Sequence, residues 1–419
     1  MSQASPVAGL PQPIRLAGLT IGAPFALAPM AGVTNPPFRA LCREFAAAAL
    51  RDAAPQTGGG FAEGGLGLYI AEMVMARAVV ERNKRSLRIL RADADPGSTS
   101  IDDDGASVLS AQVYGVDPAT TGKAVAVIAG EGLAGHIDLN FGCPVPKVTR
   151  KGGGGALPWK TQLFAAIVRA AVVAAEPYQV PITVKTRIGI DDAHETYVDA
   201  ARAAAEAGAA AITLHARTVA QRYSGDAHWE SISELVQLGL PMPVFGNGDI
   251  FAADDALRMF AETGCAGVAV GRGALGRPWL FADLIHAFHG SNIRYQPSCH
   301  EVVSVIRNHV AALIDYYGSE TRGVRDMRKH IIWYLRGFPI GGETRNELVR
   351  VDNLAQLDDG LNQLPDYPHP VAAEGPRGRM GGPQRPNLPH GWLDSRDLTP
   401  RELAELKLTE VMGVGDTGG

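Results

Sequence analysis

Short apolar runs rich in β-branched residues alternate with alanine-rich stretches from about residue 24 to residue 290. Eight of these runs read as strands: 25–28, 67–71, 108–114, 136–141, 182–185, 211–215, 243–245 and 267–270. Between several of them lie good helix formers with apolar residues at helical spacing, most clearly over 163–175 and 197–207. Repeated strand-then-helix units predict a parallel sheet, and eight such units over this length match a (β/α)8 TIM barrel, an α/β fold. An open doubly wound sheet is the alternative, weakened because no GxGxxG follows the first strand.

Two stretches interrupt the alternation. After a first helix over 37–45, residues 46–65 run into glycine-rich sequence, and residues 93–105 are acidic with Ser, Gly and Pro. Both read as surface insertions or loops. Past residue 298 the strand signal stops, and 300–317, 322–335 and 344–364 read as helices. Residues 367–390 are rich in Pro, Gly and Arg and predict no regular structure. Thr399-Pro400-Arg401-Glu402 then offers a helix start. The expected organisation is a catalytic barrel (1–297), a small all-helical domain (298–365) and a Pro/Gly-rich C-terminal extension (366–419).

Composition narrows the class. A chain of 419 residues, 46% hydrophobic and 20% charged, can bury a large core and reads as soluble and globular. A net charge of -5 excludes a uniformly basic surface, so any nucleic-acid contact must be local. Cys42, Cys143, Cys265 and Cys299 lie far apart, with neither zinc-ligand nor CxxC spacing. Dispersed free thiols point to a reducing, cytoplasmic setting, and no metal centre is expected. The first dozen residues lack a signal-peptide pattern, and no apolar run reaches bilayer-spanning length.

In a (β/α)8 barrel the chemistry sits on the loops after the strands. Those loops carry Pro29-Met30-Ala31, then Glu72, and the third strand carries Gln112. Next come Asn140 and Cys143, Lys185 and Arg187, His215 and Arg217, Asn247-Gly248-Asp249, and Gly271-Arg272-Gly273. One such polar residue usually serves structure alone, but their recurrence at one end of nearly every strand points to a single pocket. Glycines on the last two loops let backbone N–H groups approach an anion, and Arg272 adds charge, as in a phosphate site. Lys185 on an apolar strand fits either stabilisation of negative charge on a ring system or a Schiff base. Gln112, Asn140 and His215 suit a polar planar heterocycle. Cys143, an ordinary thiol with a pKa near 8.5, is mostly protonated at neutral pH and suits proton delivery.

These residues resemble a known family. The run from Pro29 to Arg39, Asp138-Leu139-Asn140-Phe141-Gly142-Cys143-Pro144, and Val184-Lys185-Thr186-Arg187 are similar to signatures of the tRNA-dihydrouridine synthases, the bacterial B-type branch in particular. So are Leu214-His215-Ala216-Arg217-Thr218, Gly246-Asn247-Gly248-Asp249-Ile250, the run from Gly271 to Trp279, and Met327-Arg328-Lys329-His330. Asn35 stands where Asp is usual, and Gly152-Gly153-Gly154-Gly155 is unusually glycine-rich, which would loosen the loop after Cys143. The resemblance implies an FMN-bound barrel followed by a helical tRNA-binding domain, with NADPH (or NADH) as reductant. It implies hydride transfer from the flavin to uracil C6 and proton transfer from Cys143 to C5. It carries FMN contacts onto Pro29, Met30, Ala31, Gln112, Lys185, His215, Asn247, Gly248, Asp249, Gly271 and Arg272, and uracil contacts onto Asn140 and Arg187. It implies tRNA as partner, with no membrane and no stable protein partner.

Arg322, Arg325, Lys329 and Arg336 fall on one stripe of the 322–335 helix and its end. With the resemblance, Arg325 and Lys329 become candidate tRNA contacts, and Arg377, Arg379 and Arg385 in the tail a weaker extension of them. Three other readings compete: a flavin barrel acting on a free pyrimidine, a Schiff-base aldolase using Lys185, and a non-catalytic RNA-binding barrel.

Overall fold

Eight parallel strands close into a barrel, each paired to the next in chain order and the last to the first. A computed structural model gives this architecture and describes residues 10–57, 66–91, 108–378 and 381–412. A hairpin of β1 (Ile14–Leu16) and β2 (Leu19–Ile21) precedes the barrel. The barrel strands are β3 (Phe25–Leu27), β4 (Leu68–Met75), β5 (Leu109–Tyr114), β6 (His136–Phe141), β7 (Ile182–Arg187), β8 (Ala211–His215), β9 (Val244–Asn247) and β10 (Gly267–Val270). Each overlaps an apolar run of the sequence. The hairpin was not anticipated; its Ile14, Leu16 and Ile21 pack with Leu68, Ala211 and Phe245 and plug the end where the strands begin. Chemistry is thereby confined to the opposite end.

The first helix runs on through Pro36–Thr57, so residues 46–57 are helical rather than a loop. Alanine and leucine dominate this stretch, and Ala46, Ala49 and Ala53 bury one face of it. Residues 58–65 and 93–105 lie outside the described residues.

Beyond the barrel, helices Cys299–Tyr317 and Glu320–Tyr334 pack against each other. The first starts at a Ser298/Glu301 capping box and stops at Gly318, which holds φ +60°. The single helix expected over 344–364 is two, Gly342–Leu348 and Leu354–Asn362. Asn353 restarts the chain by accepting the Gln356 N–H at 2.9 Å. These helices share a core of their own around Val302, Ile306, Met327, Ile331 and Leu357.

The described residues within 367–390 are irregular except for one 3-10 turn, Val371–Ala373, and the closing helix Pro400–Met412 starts where its proline predicts. Arg377 drops out of the basic extension expected in the tail, while Arg385 is exposed. The Arg377 guanidinium is buried and donates to the carbonyls of Leu275 (3.0 Å) and Trp333 (2.6 Å), tying the loop after β10 to the helical region. Arg379 lies outside the described residues.

Candidate active site

Along β6, every second residue turns into the barrel, which brings His136, Asp138 and Asn140 to one face. They belong to one buried hydrogen-bond chain. Ser110 Oγ lies 2.5 Å from His136 Nδ1, and His136 Nε2 lies 3.0 Å from Thr183 Oγ1. Thr183 donates to Asp138 Oδ1 at 2.7 Å, and Gln112 Nε2 donates to Asp138 Oδ2 at 2.7 Å. Because the Thr183 proton is spent on Asp138, His136 must donate through Nε2 and accept through Nδ1. Burial supports that neutral tautomer by pulling the His136 pKa to about 3. Asn140 Nδ2 then donates to Gln112 Oε1 at 2.8 Å, extending the chain to the barrel mouth.

The far side of Asn140 builds the cysteine turn. Its Oδ1 accepts from the Gly142 N–H (3.1 Å) and the Cys143 N–H (2.9 Å). Arg187, the last residue of β7, donates Nε–H to the Gly142 carbonyl at 2.7 Å. Its Nη1 donates to the carbonyls of Thr218 (2.8 Å) and Arg222 (2.9 Å). Gly155 N–H closes the turn on the Cys143 carbonyl at 3.0 Å. Burial raises the Cys143 thiol above its ordinary value, opposed by the Val145 N–H and then by Arg187, so the thiol keeps its proton at neutral pH.

Lys185 Nζ donates to Asn247 Oδ1 at 2.9 Å, and Asn247 Nδ2 donates to the Ala269 carbonyl at 2.7 Å. Burial, then Arg187, lowers the Lys185 pKa to about 7, with Asp138 opposing. His215, at the end of β8, is held well below its ordinary pKa by burial and by the cations of Arg187, Lys185, Arg217 and Arg272. It is therefore a neutral imidazole. The Lys185 shift has a stability consequence. Between about pH 7 and the ordinary lysine value of about 10.4, the unfolded chain holds a proton that the folded chain has released. Lys185 therefore makes folding more favourable as pH rises through that window. Urea unfolding of ligand-free protein at pH 6.5 and pH 9 checks this: wild type should gain on Lys185→Met with rising pH, and a constant difference would contradict it.

Behind the last two loops, two guanidinium groups meet one carboxylate. Asp249 Oδ2 accepts from Arg217 Nη2 at 2.6 Å and from the Ala227 N–H at 2.8 Å, while Asp249 Oδ1 accepts from Arg272 Nη2 at 3.0 Å. Asp249 takes φ +55°, a left-handed conformation Asp tolerates better than most residues, and Gly248 before it takes φ +133°. A side chain at Gly248 would press on Ala227. Arg217 Nη1 is buried with no hydrogen-bond partner among the described residues and lies 3.8 Å from where a Gly248 side chain would start. Arg272 stacks its guanidinium over the Tyr223 ring, 4.9 Å from the centroid. The cluster holds two cations against one anion, with an orphaned donor, and so carries a net positive charge that favours a further negative group. Gly271, at the end of β10, lies beside Ala28.

Pro29, Met30 and Ala31 form the rim after β3, and the Gly32 N–H donates to Glu72 Oε2 at 2.6 Å. Glu72 lies within β4, which extends to Met75, rather than on a loop after it. Lys329 reaches this rim from helix Glu320–Tyr334: its Nζ is 3.8 Å from where a Gly32 side chain would start and 2.5 Å from Asp326 Oδ1. Asn35 accepts the Phe38 N–H as a helix cap and donates to Asp326 Oδ2 at 3.4 Å, which an aspartate there would not do. Arg325 sits further out, exposed and paired with Asp352 at 3.1 Å.

The structure thus gathers Gln112, Asn140, Cys143, Lys185, Arg187, His215, Asn247, Gly248, Asp249, Gly271 and Arg272 at one barrel end. Asn140 and Arg187, expected to hold a uracil, also fix local structure: Asn140 gives Oδ1 to the cysteine turn, and Arg187 gives Nε to that turn and Nη1 to the loop after β8. Asp249 spends both carboxylate oxygens on Arg217, Arg272 and the Ala227 N–H. Sequence reasoning missed Asp138, Thr183, His136 and Ser110. The period-two alternation of β6 was the available signal.

Comparison with known proteins gives a consistent result. The family model described as "Dihydrouridine synthase (Dus)" matches residues 26–367. A "Probable tRNA-dihydrouridine synthase" of Mycobacterium leprae is 52% identical over 379 residues, covering 88% of this chain and 96% of that protein. One of Mycobacterium tuberculosis (strain ATCC 25618 / H37Rv) is 50% identical, covering 92% and 93%. The "tRNA-dihydrouridine synthase B" of Pseudomonas putida is 34% identical, covering 79% and 88%.

Proposed function

This chain belongs to the dihydrouridine synthase family, and we propose that it is an FMN-dependent oxidoreductase that reduces the C5=C6 bond of specific uridines in tRNA, drawing its electrons from NADPH or NADH. The observation that carries the reading is the Cys143 thiol, kept protonated in a turn fixed by Asn140, Arg187 and Gly155, at the same barrel end as Lys185 and the Arg217–Asp249–Arg272 cluster.

The residues fit the cofactor. A phosphate would answer the orphaned Arg217 Nη1 beside Gly248, with Arg272 and the Gly271 backbone adjoining. Pro29, Met30 and Ala31 would border the ring system, and Gln112, Lys185, His215 and Asn247 would meet its polar edge. Bound FMN supplies the hydride that adds to uracil C6.

The protein's own part is proton delivery and charge stabilisation. Addition at C6 builds negative charge across O4–C4–C5 of the uracil. Donors fixed toward that charge lower the barrier, and Arg187 Nη2, which makes no hydrogen bond among the described residues, is free to be one. Cys143 Sγ–H gives its proton to C5 and completes the addition. The base must leave its stack to enter the barrel.

A cytoplasmic enzyme with tRNA as its macromolecular partner follows from this reading; no helix among the described residues is long and apolar enough to cross a membrane. Purified protein should be yellow, and mass-spectrometric mapping should find uridines of added tRNA converted to dihydrouridine. Protein that never takes up flavin would overturn the proposal.

The tRNA reaches the barrel mouth past Lys329, with Arg325 further out on the same helix. Each phosphate neutralised contributes about 0.9 to the salt slope of binding. Arg325→Ala with Lys329→Ala should weaken tRNA binding and reduce that slope by up to about two, with the flavin spectrum unchanged. Arg325 must loosen from Asp352 to take part, so its share is the smaller. Filter binding at several salt concentrations reads the slope; an unaltered slope would remove these residues from the interface.

A further inference from the structure

The family match stops at residue 367, and nothing in the site described above uses residues 381–412. Yet this segment returns to the barrel end that carries Cys143. The Gln384 N–H donates to the Ala220 carbonyl at 2.9 Å, in the loop after β8. Lys160 Nζ donates to the carbonyls of Ser395 (2.6 Å) and Asp397 (3.2 Å) and lies 4.9 Å from the Trp392 ring centroid. Lys407 pairs at 3.1 Å with Asp117, the residue that caps the helix after β5.

At the centre is Trp392, 4% exposed, whose indole N–H donates to the Ala156 carbonyl at 3.0 Å. Its ring lies on Gly152: a Cβ there would come within 2.7 Å of the indole and 2.9 Å of Leu406. On the other side of the same short segment, a Cβ at Gly154 would come within 2.7 Å of the Cys143 carbonyl and 3.1 Å of the Cys143 Cβ. One backbone layer therefore separates Trp392 from the cysteine turn. The glycine run that reads in sequence as a loosened loop has the opposite effect. Without side chains, residues 152–155 close onto Cys143 on one face and admit an indole on the other. Gly152 and Gly154 also hold φ +72° and +55°, which suits glycine.

We propose that Trp392 is a positioning residue for the proton transfer: with the C-terminal segment it clamps the Gly152–Ala156 layer and thereby holds the Cys143 thiol in register with the bound base. The inference rests on Cys143 being the acid. A displacement of about 1 Å at a reacting group costs about 100-fold in rate, so the loss of a backing ring one layer away should be visible in chemistry.

The test separates the half-reactions in full-length protein. Flavin reduction by NADPH does not involve Cys143; reoxidation by tRNA does. Trp392→Ala is expected to slow tRNA-dependent reoxidation by about 10- to 100-fold, while flavin reduction and tRNA affinity stay at wild-type values and alkylation of Cys143 by iodoacetamide accelerates. Trp392→Phe, which keeps a ring but drops the N–H to Ala156, should lie between. Reoxidation of Trp392→Ala at the wild-type rate overturns the role, and so does an equal loss in both half-reactions. If the alanine variant does not accumulate, the phenylalanine variant decides by the same comparison. Cys143→Ala is run alongside. If it is fully active, the acid assignment fails; if it is dead beside a wild-type Trp392→Ala, the positioning role alone fails.

Discussion

Cys143→Ala should retain flavin and accept electrons from NADPH, yet form dihydrouridine about 10²- to 10⁴-fold more slowly, the usual cost of removing a positioned general acid. The expectation follows from how the thiol is held. Its backbone N–H is fixed by Asn140, its carbonyl by Gly155, and the preceding carbonyl by Arg187. None of these three contacts uses the sulfur, and the variant gives up only the Val145 N–H contact to it, so the alanine turn should keep its shape and the flavin its environment. What is lost is the proton for C5. Burial raises the thiol above its ordinary value, so wild-type proton delivery should be insensitive to pH through neutrality and fall only at alkaline pH, as the acid form is depleted. Cys143→Ser keeps an O–H but one far less acidic, and should recover little. Single-turnover reoxidation of pre-reduced enzyme by tRNA measures the step. A wild-type rate in the alanine variant would reject the acid role.

The barrel was legible in the sequence because its strands are buried on both faces and read as apolar runs. The polar residues that end those runs were legible for the same reason, since they break the pattern at one edge. Inside β6 the same logic was harder to apply. His136 and Asp138 alternate with Ile137 and Leu139, a pattern equally suited to a strand with one solvated face. Only closure of the barrel turns that polar face inward. Asn140 and Arg187 were found as site residues, but their hydrogen-bond partners are backbone groups brought near by folding, which residue type does not disclose. The same limit applies to Trp392 and Ala156, 236 residues apart. The extension of the first helix to Thr57 is a different matter: its alanines were visible, and the glycines that follow drew the boundary too early.

Substituting Arg217 should cost both stability and cofactor. The side chain is 2% exposed and donates to Asp249, to the Gly225 carbonyl at 2.6 Å and to the Ser224 carbonyl at 3.2 Å. Hydrogen bonds from a charged group contribute about 1.5–3 kcal/mol each, and removing one partner of a buried ion pair costs about 3–5 kcal/mol. Asp249 keeps Arg272 at 3.0 Å and the Ala227 N–H at 2.8 Å, so Arg217→Met should sit at the lower end, about 3 kcal/mol in urea unfolding without flavin. The flavin effect is separate. Arg217 Nη1 is buried with no partner among the described residues, a penalty that an anionic oxygen would relieve on binding. Loss of that contact should weaken FMN binding by about 10- to 100-fold, the equivalent of one charged hydrogen bond. Arg217→Lys keeps the charge but not the fork that reaches Asp249 and the loop carbonyls together, and should restore affinity only in part. Inorganic phosphate provides the control: it should raise the unfolding midpoint of wild type and not of Arg217→Met. Titration of flavin fluorescence reads the affinity, and FMN bound equally well by Arg217→Met would place the phosphate elsewhere on the barrel rim.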